Sequence, residues 1–335
     1  MQKEDIRIKR VIIHILNPAA GLPVLSDGEV EFGSDFADFL RDHIYKIMSS
    51  DDCKKCKFYK KESEVYQLLA SYQEDDFISM SQDIANHLYQ IMSSNIDIPP
   101  ADLVIVRFKA NDREYLALLK MNYIESFTHK TKDLEDGKEN EAAKHKAILP
   151  MGSRLKEAAM IAMDDLSIQA IEKKYEVNGE KVNYFTSLFL KCSSELSHKS
   201  KLSIVTKAVE KVQNNYYDEE QLYEQIMRAK SIIHETLQED GSFEVEELSE
   251  KIFGNEYSMR VEFQEIMEKY DLVKQEIAPK NEGTVKKYAF QNLQTDTGIE
   301  IKIPMEQYKD SVEVVRENGS ISLYIKNIMQ LEAKL

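Results

Sequence analysis

The stretch from Ala101 to His129, ADLVIVRFKANDREYLALLKMNYIESFTH, constrains the fold of this chain more than any other. It reads as a strand, a tight turn at Asn111-Asp112 and a longer returning strand. On the first limb Leu103 and Ile105 share one side, with Phe108 added to it; on the second, Tyr115, Ala117 and Leu119 alternate with Leu116 and Leu118. Both alternating sets are apolar, so the period of two predicts a hairpin buried on both faces. A two-stranded hairpin does not stand alone in water, and helices and further strands must cover it.

Other segments supply the cover. Residues 6–16, IRIKRVIIHIL, predict an opening strand closed by Asn17-Pro18 and Gly21, with Leu22–Leu25 returning beside it. Ser34 offers an N-cap to a helix whose Phe36, Phe39, Leu40, Ile44, Ile47 and Met48 keep helical spacing. Helical patterns follow at 65–72 and 77–92, the second stopped by Pro99-Pro100. Lys130–Lys146 is a run of balanced charge with Gly137 and reads as an exposed loop, while runs at 147–151, 157–163 and 166–175 extend an antiparallel sheet.

Asn178-Gly179 marks a turn and a domain boundary, after which the period becomes helical over 182–196, 202–212 and 219–237. Short helices at 245–253 and 259–270 make a helix-turn-helix-like pair. Strands return at 285–293 and 298–303, and Asn318-Gly319 sits between two β-rich limbs as a type I′ turn. The expected class is α+β: a domain over 1–178 with a mainly antiparallel sheet and covering helices, then a helical region with C-terminal β-hairpins over 179–335.

No apolar run reaches the roughly 18 residues that a membrane span needs, and the N-terminal residues lack a signal-peptide pattern, which predicts a cytoplasmic protein. Three cysteines give no disulfide framework. The formal net charge of −15 argues against phosphate contact, yet Asp218–Glu268 alone holds fifteen acidic side chains against four basic ones. Most of the acidic excess thus sits in one segment, which leaves room for neutral or basic faces elsewhere.

Candidate sites are few. Cys53 and Cys56 form a CxxC pair, but no second CxxC completes a zinc site and no βαβ junction supports a redox motif; a surface loop with two incidental thiols is the better reading, with a pairing to Cys192 and a histidine left open. His43 is close in sequence and faces solvent or core on its helix. The same loop carries Lys54, Lys55, Lys57, Lys60 and Lys61 around Phe58 and Tyr59, a composition that suits a nucleic-acid backbone as well as a solvated loop, and the motif alone favours the latter.

The segment Lys191–Lys211, KCSSELSHKSKLSIVTKAVEK, is locally cationic and reads as helical. Lys191, His198, Lys199, Lys201, Lys207 and Lys211 could grip phosphates, with Ser197, Ser200 and Ser203 beside them. An amphipathic helix burying Leu202, Val205 and Val209 explains the same pattern. For catalysis there is no Walker A, GxGxxG, GxSxG or HExxH sequence, so no cofactor or metal is expected. His14 lies in the first strand as a core or sheet-face residue, and Asp164-Asp165 reads as a turn rather than a metal-binding pair.

Taken in order, VIIHILN, DREYLALLKMNYI, YFTSLFLKCSSEL with the basic segment after it, VEELSEKIFG and GIEIKIP resemble the bacterial nucleoid-associated protein family of the YejK or NdpA type, over nearly the whole chain. The resemblance implies a cytoplasmic protein found with the nucleoid, a DNA-associated role and no catalytic residues. It places the basic segment after Tyr184–Leu190 at the DNA. The CKKC loop and the 130–146 run depart from the family pattern, and the acidic 218–268 segment sets affinity in doubt. The reading is non-enzymatic, largely sequence-independent DNA binding by a homodimer. The rivals are an interaction module whose acidic surface engages a basic protein partner and, behind it, a metal-dependent nuclease.

Overall fold

The computed structural model describes residues 2–95, 97–134, 137–147, 153–177, 180–317, 320–330 and 332, and the chain forms two compact units, Met1–Ser197 and His198–Leu335. The first runs through β1 (Arg7–Leu16), α1 (Ser34–Met48), β2 (Lys54–Phe58), α2 (Glu64–Ala70), α3 (Phe77–Ser93), β3 (Ala101–Ala110), β4 (Arg113–Asn122), β5 (Ile124–Leu134) and β6 (Gly137–Ala147). It continues with β7 (Glu157–Ala162), β8 (Ile168–Ile171), β9 (Tyr175–Val177), β10 (Glu180–Val182), a π-helical turn at Phe185–Phe189 and β11 (Cys192–Ser194). Seven strands make one sheet in the order β1-β3-β4-β7-β8-β2-β11, with every pairing antiparallel. The α+β class expected from the sequence is the class observed.

The central hairpin is β3–β4, in register from Ala101 opposite Asn122 to Ala110 opposite Arg113. Asn111 and Asp112 both have positive φ, 47° and 63°, as a two-residue turn with right-handed strand twist demands. Leu103, Ile105, Leu116 and Leu118 pack with Val65 and Leu69 of α2 and Phe77, Ile84 and Leu88 of α3. Val104, Val106, Tyr115, Ala117 and Leu119 face Phe39, Leu40, Ile44 and Ile47 of α1. Phe108 belongs to this second face, stacked on Tyr115 with ring centroids 5.1 Å apart, and not with Leu103 and Ile105, because odd and even positions of a strand point to opposite sides.

Other expectations change, and the strand expected over 285–293 is one of them: it begins only at Phe290, after a short helix at Glu282–Lys286. Gly33, not Ser34, is the N-cap of α1. The described part of the 130–146 run, 130–134 and 137–146, is no loop: it lies in the two-stranded ribbon β5–β6, whose register sets Lys130 opposite Glu141 and Lys132 opposite Glu139, so opposite charges meet across the strands. The helix expected over 182–196 shrinks to the π-helical turn followed by a strand. Tyr184, Phe185, Phe189 and Leu190 are buried in the core beside α3, which requires the sheet face, so the first unit extends past 178 to Ser197. The 148–151 part of one expected strand and the turns at 178–179 and 318–319 lie outside the described residues.

The second unit comprises α4 (His198–Tyr216), α5 (Glu219–Glu239), β12 (Phe243–Glu244), α6 (Val245–Phe253), α7 (Tyr257–Glu268), β13 (Glu276–Ile277) and α8 (Glu282–Lys286). Then come β14 (Phe290–Gln294), β15 (Glu300–Pro304), α9 (Met305–Ser311), β16 (Val312–Glu317) and β17 (Ser320–Ile325), paired as two hairpins. Leu202, Val205, Val209 and Val212 of α4 pack with Ile233 and Leu237 of α5, Leu248 of α6 and Phe263 of α7. Helices α6 and α7, joined by three residues, are the helix-turn-helix-like pair, closed by Phe253 on Phe263 at 5.5 Å. Among the described residues no helix is long and apolar enough to cross a membrane.

A buried ion pair and a buried histidine condition stability. Lys120 of β4 and Glu157 of β7 face each other with fully buried side chains, Nζ 3.4 Å from Oε2, and Lys120 also donates to Asn122 Oδ1 at 2.7 Å. Burial lowers the Lys120 pKa and the Glu157 charge opposes that shift. In β1, His14 Nδ1 accepts the Ser26 N–H at 3.2 Å, which leaves the proton on Nε2 to donate to Ser81 Oγ at 3.0 Å. Protonating Nδ1 would break the first bond, and burial lowers the His14 pKa to about 4.

Replacing Lys120 by Met strands a buried carboxylate and is expected to cost about 3–5 kcal/mol, whereas Lys120→Met with Glu157→Leu should recover most of the loss. Thermal unfolding midpoints compare the two variants. For His14, the unfolded chain takes up a proton near pH 6.5 that the folded chain refuses until about pH 4, so stability is full above the unfolded value and falls as pH drops through that window. The effect amounts to ~3 kcal/mol. Midpoints measured across this range should lose that slope in His14→Gln.

Candidate nucleic-acid interface

Helix α4 turns one stripe to the core and the rest outward. Leu202, Val205, Ala208, Val209 and Val212 are buried, and Lys199, Ser203, Lys207 and Lys211 are exposed. These four recur every fourth residue, so they share a face about 120° wide and about 18 Å long. Glu210 and Asn214 are exposed beside them.

The other residues expected on this helix part from it. Lys201 is 7% exposed and its Nζ donates to Gln275 Oε1 at 2.7 Å, so it is a buried strut of the second unit and not a phosphate contact. His198 opens α4, and its Nδ1 accepts the Ala278 N–H at 3.2 Å. Lys191 is not helical: it adopts φ 45° in the first unit, its carbonyl accepts the Tyr59 N–H at 2.9 Å, and its Nζ stands 3.8 Å from Glu64 Oε1. The cationic run of the sequence is thus cut between two units at Ser197.

The lysine-rich loop is the strand β2. Its alternation sends Cys56 and Phe58 inward and leaves Lys55 and Lys57 exposed, and Lys60 and Lys61 are exposed just past its end. Phe58 packs on Tyr66 at 5.7 Å and is closed to a base, while Tyr59 is half exposed. Lys54 points to the other face, where it pairs with buried Glu172 at 3.1 Å. Antiparallel pairing puts Ser193 opposite Lys57, and the Tyr59–Lys191 bond continues the ladder. Lys191 therefore belongs with the β2 lysines, a grouping that sequence distance hides. The signal that was legible is the period of two in KKCKF, with its apolar positions alternating with lysines.

The remaining candidates resolve on geometry. Cys53 packs against the core under α1 and Cys56 lies in the core under α3, so the CxxC thiols occupy opposite faces of the sheet. Cys56 instead meets Cys192, and that hydrogen bond, with burial, pushes the Cys56 thiol pKa up. Among the described residues no three His, Cys, Asp or Glu side chains gather as a metal site would need. Asp164 and Asp165 sit in the β7–β8 turn, each 2.7 Å from Arg113. His43 is buried edge-on to Phe39 at 4.6 Å.

The helix-turn-helix pair carries the wrong sign for a duplex. Glu246, Glu247 and Glu250 of α6 and Glu265 and Glu268 of α7 are exposed, and Arg260 is taken up by Glu250 at 2.8 Å. A shallow cavity between the two helices is lined by Val245, Phe263 and Met267 with Glu246 and Gln264 among its polar residues.

Comparison with curated proteins found no match. The family model described as nucleoid-associated protein YejK matches residues 12–332, from within β1 to beyond β17 and across both units. A match of that extent, over the same collinear elements that carry the resemblance in the sequence, places the chain in the nucleoid-associated protein YejK family.

Proposed function

We propose that this protein binds duplex DNA directly, largely without regard to sequence and without catalysis, and that the exposed face of α4 is a contact. The observation that carries the reading is the line of Lys199, Lys207 and Lys211 on a helix whose opposite stripe is fixed in the core. Such ammonium groups neutralise phosphates and release counterions, an interaction indifferent to base order. The acidic α6–α7 face repels a duplex and so directs it elsewhere on the molecule. Membership of a nucleoid-associated family supports the same partner. We also propose a symmetric homodimer, in which two such weak surfaces act on one DNA with higher effective concentration.

The acidic face favours one second reading, an interaction module that takes a basic protein partner, with DNA association indirect. For the nuclease reading, the adjacent carboxylates Asp164 and Asp165 are both engaged by Arg113, and among the described residues no three His, Cys, Asp or Glu side chains gather as a metal site.

Fluorescence anisotropy with short duplexes of unrelated sequence, over a series of salt concentrations, separates these readings. Lys199→Gln, Lys207→Gln and Lys211→Gln together are expected to weaken binding equally for all sequences and to reduce the slope of log K against log salt by roughly 0.9 for each phosphate no longer neutralised. An unchanged slope in the folded variant removes α4 from the interface, and absence of binding by the unaltered chain favours the interaction module. Light scattering of the same preparation should give twice the 38.8 kDa chain mass.

A further inference from the structure

We infer that the first unit carries a second DNA-backbone contact, built on the edge of its sheet from Lys57, Lys60, Lys61 and Lys191. The inference rests on the direct DNA binding proposed above but uses none of the α4 residues. Strand β11 is the outermost strand of the sheet and only three residues long, and β2 is its ladder partner. Cys56, Phe58 and Cys192 fill the inner face of this pair, so the chain cannot roll the strand over without exposing its core. The outer face is left to Lys57, with the short side chain of Ser193 opposite it. The chain then brings Lys60 and Lys61 past the strand end, and the Tyr59 N–H bonded to the Lys191 carbonyl brings in the fourth ammonium group.

Charge complementarity selects the partner. Lys60 lies 5.6 Å from the Tyr66 ring and Lys191 3.8 Å from Glu64, contacts that restrain these side chains while leaving Lys60 exposed and Lys191 half-buried. Glu62, Glu64 and Glu195 lie on the same margin, and Glu195, whose N–H bonds the Lys55 carbonyl, offsets Lys55. The excess is therefore cationic at the Lys57–Lys61 end and cancelled at the Lys55 end. A polyanion with charges spaced along a line fits such an edge, and the β2–β11 ladder beneath it fixes the backbone from which Lys57 projects.

The test uses the full chain in the same anisotropy assay. Lys57→Gln, Lys60→Gln and Lys191→Gln together should weaken duplex binding and shrink the salt slope by roughly 0.9 for each phosphate that these lysines neutralise. A matched control, Lys130→Gln, Lys132→Gln and Lys138→Gln on the β5–β6 ribbon, removes the same charge and should leave the slope unchanged. Glu195→Gln, which leaves the three lysines in place, should tighten binding and keeps the inference testable if the triple variant fails to fold. An unchanged slope in the folded edge variant, an equal loss in the ribbon control, or no tightening in Glu195→Gln overturns the inference. If the slope falls in the edge variant and not in the α4 variant, the sheet-edge site stands and the α4 assignment falls; if the unaltered chain does not bind, both fall.

Discussion

The burial of both faces of the β3–β4 hairpin is the constraint on which the first unit depends. Within its ten residue pairs Leu103, Ile105, Leu116 and Leu118 turn to one side and Val104, Val106 and Leu119 to the other, and each such side chain is worth about 1.5–3 kcal/mol when taken out of water. Neither face can be left to solvent, so α1 must close one side and α2, α3 and the Tyr184–Phe189 turn the other. Surface ion pairs, at about 0–1 kcal/mol, are too weak to compete with this arrangement. Charge on the outside is consequently able to serve a partner without unsettling the core.

The cationic surfaces are by-products of the same periodicities that build the cores. In β2 the period of two that buries Cys56 and Phe58 obliges Lys55 and Lys57 to face outward. In α4 the helical period that buries Leu202, Val205 and Val209 obliges Lys199, Lys207 and Lys211 to do so. A lysine that falls on the wrong phase is absorbed, as Lys201 is by Gln275 and Lys54 by Glu172. Each cationic group is thus held by a core that is costly to disturb.

The acidity of the chain is partitioned and not diffuse. Much of it is displayed by α6 and α7, the elements whose helix-turn-helix geometry would otherwise suggest groove reading. With glutamates outward on both helices, that geometry is turned away from phosphate, and the exposed lysines of α4 provide the opposite sign within the same unit. A net charge of −15 is therefore a poor guide to what any one face of this molecule can hold.

By itself the sequence determined what depends on neighbours in the chain: the β3–β4 hairpin and its Asn111-Asp112 turn, the helices α1, α3 and α5 to α7, and the α+β class. Period and turn chemistry are local, and here they agree with the tertiary context. Only the tertiary structure decided where Lys191 belongs, because a hydrogen bond to Tyr59 across two antiparallel strands joins residues far apart in sequence. It likewise decided that Tyr184–Leu190 serves the first core, since an aromatic cluster of that size is stable only against an apolar face that the sheet supplies. The β5–β6 ribbon is of the same kind: its charged residues meet opposite charges across the ladder, and which residues meet is a property of the register rather than of either strand alone.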